Sequence, residues 1–180
     1  MDQDLALYQR FLSGERQALE TLVALHTDNL IRFAYLYLRD SSAAEDVAED
    51  TFVALLLKKK IFLEGAKFKT YLYRIARNKC IDLLRKRKKT VPLQDVENVL
   101  HGGCFETEIH KKEQYATLYR CMSELPAQYN EILHLTYFDG FTVKEICEIT
   151  KQSAKQVYNL LSRAKHSLKQ LLIKEGVNEP

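Results

Sequence analysis

The sequence is poor in the residues that interrupt helices: three Pro and six Gly stand among 180. Leu, Lys, Glu and Ala are plentiful instead, a balance that favours helices. Long apolar runs are missing too. Nothing approaches ~18 uninterrupted apolar residues, so no transmembrane helix is expected, and no N-terminal stretch has the form of a signal peptide. The four cysteines, Cys80, Cys104, Cys121 and Cys147, are scattered without close pairing. That pattern argues against a disulfide framework and for reduced thiols in a cytoplasmic protein.

The motifs of common enzymes are also lacking. There is no Gly-rich phosphate loop, no His-Glu-x-x-His and no nucleophile elbow. His101-Gly-Gly-Cys104 with His110 has loose metal-ligand spacing but no fourth donor, so no metal site is expected. His26, His134 and His166 stand alone, which assigns them structural or surface roles. With no convergent catalytic set, the chain is expected to be non-enzymatic, with no cofactor and no small-molecule substrate.

What is present is a hydrophobic fraction of 46%, ordinary for a folded protein, and an uneven charge. Residues 1–57 carry ten acidic side chains against four basic, a net of −6. Residues 67–89 carry ten basic side chains against one acidic, Asp82, a net of +9. Such a reversal implies two faces for two kinds of partner, phosphates for the basic block and a protein for the acidic half.

Apolar residues recur at three- and four-residue spacing almost throughout, and strict alternation is rare. Helices are expected from Leu5 to Val23 with a break near Ser13-Gly14, from Leu30 to about Arg39-Asp40, and onward to about Leu57. Ser41 or Ser42 can cap the third, with Glu45 as its capping-box partner. After a loop at 58–66 a long helix runs from about Phe68 to Arg87, with Leu72, Ile75, Ala76, Ile81 and Leu84 facing the core. Residues 90–110 have weak periodicity and read as a linker. Helical spacing resumes at Lys112, breaks at Leu125-Pro126, continues to Phe138, and turns at Asp139-Gly140. The expected fold is all-α: two small helical domains, 1–89 and 112–176, joined by a flexible linker at 90–111.

Two segments carry nucleic-acid signals. Residues 142–149 and 153–173 have helix-turn-helix spacing, with Ile146, Ile149, Val157 and Leu160 or Leu161 as the small core and Ser153 as the cap of the second helix. That helix holds Lys155, Arg163, Lys165 and Lys169 and no acidic side chain from 154 to 173. A helical hairpin with a solvated basic face has the same spacing. The segment Phe68–Lys89 interleaves aromatics with cations, as a phosphate track with stacking platforms does. A solvated charged face with buried tyrosines shares that composition.

The order of three motifs narrows these alternatives. They are Ala44-Glu-Asp-Val-Ala-Glu-Asp-Thr-Phe52, then Phe68-x-x-Tyr-Leu-Tyr-Arg-Ile-Ala-Arg-Asn78, then Leu125-Pro126 with the helix-turn-helix and Ser162-Arg-Ala-Lys165. Together, across nearly the whole chain, they resemble the extracytoplasmic-function (ECF) branch of the bacterial sigma-70 family of RNA polymerase sigma factors. The resemblance implies a sigma2-like N-terminal bundle that binds polymerase and reads the promoter −10 element, and a sigma4-like helix-turn-helix for the −35 element. It places Asp46, Glu49, Asp50 and Phe52 against the clamp helices of the polymerase large subunits. It puts Phe62 in the loop that captures an unstacked −10 base, and Tyr71, Arg74, Arg77, Asn78 and Lys79 along the strand. Ser153, Lys155, Gln156, Tyr158, Asn159, Arg163 and Lys165 fall to the −35 element. The implied partners are core RNA polymerase, through its clamp helices and flap, promoter DNA, and an anti-sigma factor.

The chain departs from the family pattern in places. Tyr71 stands where Trp is usual and Glu49 where Gln is usual. Lys151 occupies a turn position commonly held by Gly, so that turn must change its geometry or carry strain. Leu160 replaces a frequent basic residue. The linker segment 93–109 holds Asp95, Glu97, Glu106 and Glu108 and no cation, which suits either a nucleic-acid mimic in the polymerase cleft or an inert tether. A polymerase-independent helix-turn-helix regulator is the rival function, and a polymerase-binding decoy a third.

Overall fold

A computed structural model of the chain describes residues 2–59, 67–90 and 113–177, with side chains of 88–90 and 113–116 excepted. Phe62 and most of the expected linker, including His101, Cys104 and His110, lie outside the described residues. The described residues contain helices and turns and no strand. The chain divides into two compact units, the first built mainly from residues up to Arg87 and the second mainly from Lys88 onward.

In the first unit, α1 (Gln3–Leu12) opens on Asp2, whose carboxylate accepts the Asp4 N–H. It is followed by α2 (Arg16–Leu38), α3 (Ser41–Lys58) and α4 (Phe68–Thr90). Helix α3 is not capped by Ser41 or Ser42 as the sequence suggested. Asp40 does it, accepting the Ala43 N–H at 3.1 Å while Arg87 donates to its other oxygen at 2.8 Å. A full negative charge suits a helix N-terminus better than a hydroxyl and also draws in the guanidinium. The backbone bond first, and then Arg87, hold the Asp40 carboxyl below its ordinary pKa.

Helix α2 is the centre of this unit, packing on both α1 and α3. Leu22, Leu30, Phe33 and Leu38 from α2 are buried, as are Tyr8 from α1 and Leu55 from α3. Helix α4 joins through rings: Phe68 lies 5.2 Å from Tyr8 and Tyr73 lies 5.0 Å from Phe33, centroid to centroid. Its buried stripe is Phe68, Leu72, Tyr73, Ile75, Ala76 and Cys80. Ile81 and Leu84, expected in the core, are only half-buried. Leu83, in phase with that stripe, is half-buried as well, so burial fades towards the C-terminal end of the helix. Burying each large side chain contributes about 1.5–3 kcal/mol.

The second unit has α5 (Glu113–Glu124), α6 (Ala127–Leu133), α7 (Val143–Thr150) and α8 (Ala154–Lys174), with α8 packed on α5 and α6. Arg120 of α5 also pairs with Glu175 just past α8. The sequence reading carried α6 unbroken to Phe138. Instead residues His134–Phe138 widen into a π-helical turn, in which the Asp139 N–H donates to the His134 carbonyl at 3.1 Å. Local side chains stabilise the wide turn: His134 Nδ1 lies 2.9 Å from Asp139 Oδ2, both side chains buried, and the imidazole stacks on Phe138 at 5.1 Å. Gly140, at φ 70°, then reverses the chain, a conformation that a side chain would resist.

A second histidine gives the first unit a pH dependence. His26 of α2, only 6% exposed, lies 6.1 Å from the Phe68 ring and places Nε2 2.9 Å from Asp4 Oδ2. Neither ring nitrogen is in line for a hydrogen bond. Burial pushes the imidazole below its usual pKa of 6.5; Asp4 and Asp2 work against that shift, and Lys69 adds to it. The unfolded chain therefore takes up a proton that the folded chain refuses. This contribution to stability is complete above the unfolded value and is lost as pH falls below it towards the folded one. Lowering the pH from about 7.5 to about 5.5 is expected to lower the thermal midpoint, and His26→Leu to flatten the dependence. Melting curves by circular dichroism of both proteins check it.

Candidate functional site

Helix α3 divides cleanly into two stripes. Ala44, Val47, Ala48, Thr51, Phe52 and Leu55 are buried, while Glu45, Asp46, Glu49, Asp50, Val53 and Leu57 are exposed. Positions 46, 49, 50, 53 and 57 recur at three and four residues and so share one helical face. The sequence-expected trio Asp46, Glu49 and Asp50 is thus brought together on the surface. Phe52, grouped with them, is corrected: it is 6% exposed and belongs to the core. Its phase explains this, since 44, 48, 52 and 55 follow one buried line. The apolar residues exposed on this face are instead Val53, 48% exposed, and Leu57, 80% exposed, which sequence reasoning passed over. Their phase, in line with the carboxylates, was the available signal.

On α4, Tyr71, Arg74 and Asn78 follow one another along a face at three- and four-residue spacing. The Arg74 guanidinium sits 5.2 Å over the Tyr71 ring, an attraction of about 0.5–1 kcal/mol at an exposed site. Arg74 and Arg77 are half-buried and Asn78 is exposed. Arg85, exposed near the helix end, lies 3.8 Å from Asp82, its only acidic neighbour along the basic block. Lys79 behaves differently: its Nζ lies 3.2 Å from Asp50 Oδ2. Two residues that the sequence assigned to different partners are therefore paired across α3 and α4. At this exposure such a pair is worth less than about 1 kcal/mol, and either partner can be drawn away.

Helix α8 begins with a reciprocal cap. Ser153 Oγ accepts the Gln156 N–H at 3.3 Å, and Gln156 Oε1 accepts the Ser153 N–H at 2.8 Å. Val157 and Ala164 are buried, as are Ile146 and Ile149 of α7, whereas Leu160 and Leu161 are half-buried. Lys155, Gln156, Tyr158, Asn159 and Arg163 are exposed, Tyr158 by 59%. Lys165 points elsewhere: its Nζ lies 5.4 Å over the Tyr137 ring, at the rim of an apolar groove of about 530 Å³. Leu118, Met122, Leu133, Phe138, Leu168 and Leu172 line that groove. The turn before α8 answers the Lys151 question: Lys151 carries the strain, with a left-handed backbone at φ 60°.

Among the described residues no group of three or more His, Cys, Asp or Glu side chains could hold a metal ion. No described helix is long and apolar enough to cross a membrane.

Comparison with known proteins decides among the remaining readings. Residues 22–90 match Sigma-70 region 2, and residues 115–168 match Sigma-70, region 4. The ECF RNA polymerase sigma factor SigM of Bacillus subtilis is 30% identical over 162 residues, covering 89% of this chain and 98% of that protein. The chain belongs to the ECF branch of the sigma-70 family. SigW of the same organism is 27% identical over 170 residues, with 88% and 91% of the two chains covered. Among solved structures, CnrH in complex with the cytosolic domain of CnrY is 25% identical at a TM-score of 0.69, covering 96% and 99%. The Bartonella quintana sigma factor RpoE, solved with the anti-sigma factor NepR, shares the fold at 23% identity and a TM-score of 0.71, covering 85% and 95%. This sigma factor is accordingly an initiation subunit that directs promoter-specific transcription.

The strain in its helix-turn-helix is measurable. Left-handed backbone costs a residue with a Cβ about 1–2 kcal/mol, and the greater unfolded-state entropy of Gly returns about half of that. Lys151→Gly in the sigma factor is therefore expected to raise unfolding free energy by about 0.5–1 kcal/mol, and Lys151→Ala to leave it nearly unchanged. Urea unfolding of the three proteins checks both.

Proposed function

We propose that the acidic and apolar face of α3 is the surface by which this sigma factor docks on the clamp helices of core RNA polymerase. The observation that carries it is the alignment of Asp46, Glu49 and Asp50 with the exposed Val53 and Leu57 on one helical face. Carboxylates steer a basic partner into register, and the apolar residues supply contact area once water leaves. A regulator that bound duplex DNA by itself would have no use for such a face. Helix α4 then presents Tyr71, Arg74, Arg77 and Asn78 to the −10 strand. The exposed side of α8, with Lys155, Gln156, Tyr158, Asn159 and Arg163, meets the −35 element, and Ser153 serves it as cap. Lys165 and the apolar groove beside it fit a helix of the polymerase flap.

Dividing recognition between two modules makes binding bivalent, so individually weak contacts become effective once polymerase fixes their spacing. The protein acts in the cytoplasm, as a binding subunit and not an enzyme. Control by an anti-sigma factor is supported by the CnrH and RpoE structures, each solved with a protein partner.

The test pairs Asp46→Lys with Val53→Asp. Both positions are exposed, so the fold should survive. Affinity for core polymerase is expected to drop at least about tenfold, as loss of central contacts does, while thermal stability stays unchanged. Polymerase binding equal to that of the parent protein would overturn the assignment of this face of α3 as the docking surface. Binding curves with labelled protein and purified core polymerase supply the measurement.

A further inference from the structure

The reciprocal cap at the start of α8 restricts what Gln156 can offer to DNA. Two donors converge on its side-chain oxygen: the Ser153 N–H at 2.8 Å and the Ser153 hydroxyl, also at 2.8 Å. The orientation of the amide is not ambiguous, because a backbone N–H can only donate and must face the oxygen. A carbonyl oxygen has two lone pairs, and both are engaged here. Gln156 is nevertheless exposed, in the first turn of the helix. What it has left for a partner is its Nε2 group, two N–H donors and no acceptor.

Base edges in the major groove discriminate sharply between such a group and an ordinary glutamine. A free glutamine reads adenine by donating to N7 and accepting from N6 at once. With its oxygen held in the cap, Gln156 cannot complete that pair. Guanine presents two adjacent acceptors, N7 and O6, whereas thymine presents one, O4, and adenine one, N7, beside its N6 donor. Cytosine presents only its N4 donor, which would face the Gln156 donors with nothing between them to accept.

We infer that Gln156 is a donor-only specificity residue of this sigma factor, selecting guanine over adenine, thymine and cytosine at one position of the −35 element. The inference rests on the proposed reading of α8 as the −35 helix and refines it. It also makes the cap part of recognition: Ser153 fixes which half of the Gln156 amide faces outward, and so acts as a positioning residue.

The substitution Gln156→Glu isolates the effect. Glu at this position is the usual partner in a capping box, so the helix start is retained. The outward group, however, changes from two donors to a carboxylate oxygen, an acceptor that suits the cytosine N4 donor. The experiment uses core polymerase with the full-length chain and a promoter recovered by run-off transcription of source-genome DNA. Each −35 position is randomised in turn, and transcripts are sequenced for the parent protein and for Gln156→Glu. The expected result is one position at which the parent prefers guanine by roughly tenfold and at which Gln156→Glu turns to cytosine. Circular dichroism melting should be the same for the two proteins.

Adenine preferred at the position that responds to Gln156→Glu would overturn the proposal, because it requires the free amide oxygen. So would unchanged base preferences at every position, which would leave Gln156 a cap alone. A companion variant, Lys155→Ala with Arg163→Ala, separates this failure from that of the underlying reading. If the companion weakens −35-dependent transcription while Gln156→Glu shifts no preference, only the donor assignment falls. If the companion too has no effect, α8 is not the −35 helix and both fall.

Discussion

Helix α4 has to hold nine cations against a single carboxylate, Asp82, and the rest of the first unit is arranged around that requirement. Like charges three or four residues apart on a helix disfavour it by about 0.2–0.5 kcal/mol per pair. Several such pairs would unwind an isolated peptide of this composition. Against them stands a stripe containing Phe68, Leu72, Tyr73, Ala76 and Cys80, fully buried against α1 and α2. At about 1.5–3 kcal/mol for each large apolar side chain, burial exceeds the repulsion. The surface that can meet phosphates therefore exists because an apolar stripe behind it is wide enough. Asp40 and Asp50 relieve the remaining charge at two points, through Arg87 and Lys79.

The same division of labour recurs on each functional helix. Helix α3 buries one line of small and apolar residues and leaves its carboxylates outside; α8 buries Val157 and Ala164 and leaves its polar residues outside. In each case the packed stripe is neutral and the outward one carries the chemistry. A substitution can then alter partner choice without disturbing the core. That separation suits a family whose members share a fold while differing in what they recognise.

Periodicity made much of this legible. The helical class, the break near Gly14, the long cationic helix and the helix-turn-helix all follow from apolar spacing, and the order of three motifs supplied the family. What escaped was finer than a period. Asp40 displaced Ser41 and Ser42 as a cap because Arg87, 47 residues away, adds a partner that local sequence does not display. Phe52 resembled a surface contact by motif and proved to be core by phase. Lys79 looked like one more cation on a basic face, yet the fold sets it beside Asp50. Each of these depends on tertiary neighbours, which a window of a dozen residues does not contain.

The wide turn at His134–Phe138 has a geometric consequence for the second unit. Each residue of an α-helix advances the direction of its side chain by about 100°, so one additional residue in a turn shifts the phase of everything after it by that angle. Tyr137 and Phe138, inside that turn, are exposed and line the apolar groove. The buried imidazole–carboxylate pair of His134 and Asp139 acts in effect as a set-screw on that phase, placed upstream of any residue that would touch a base.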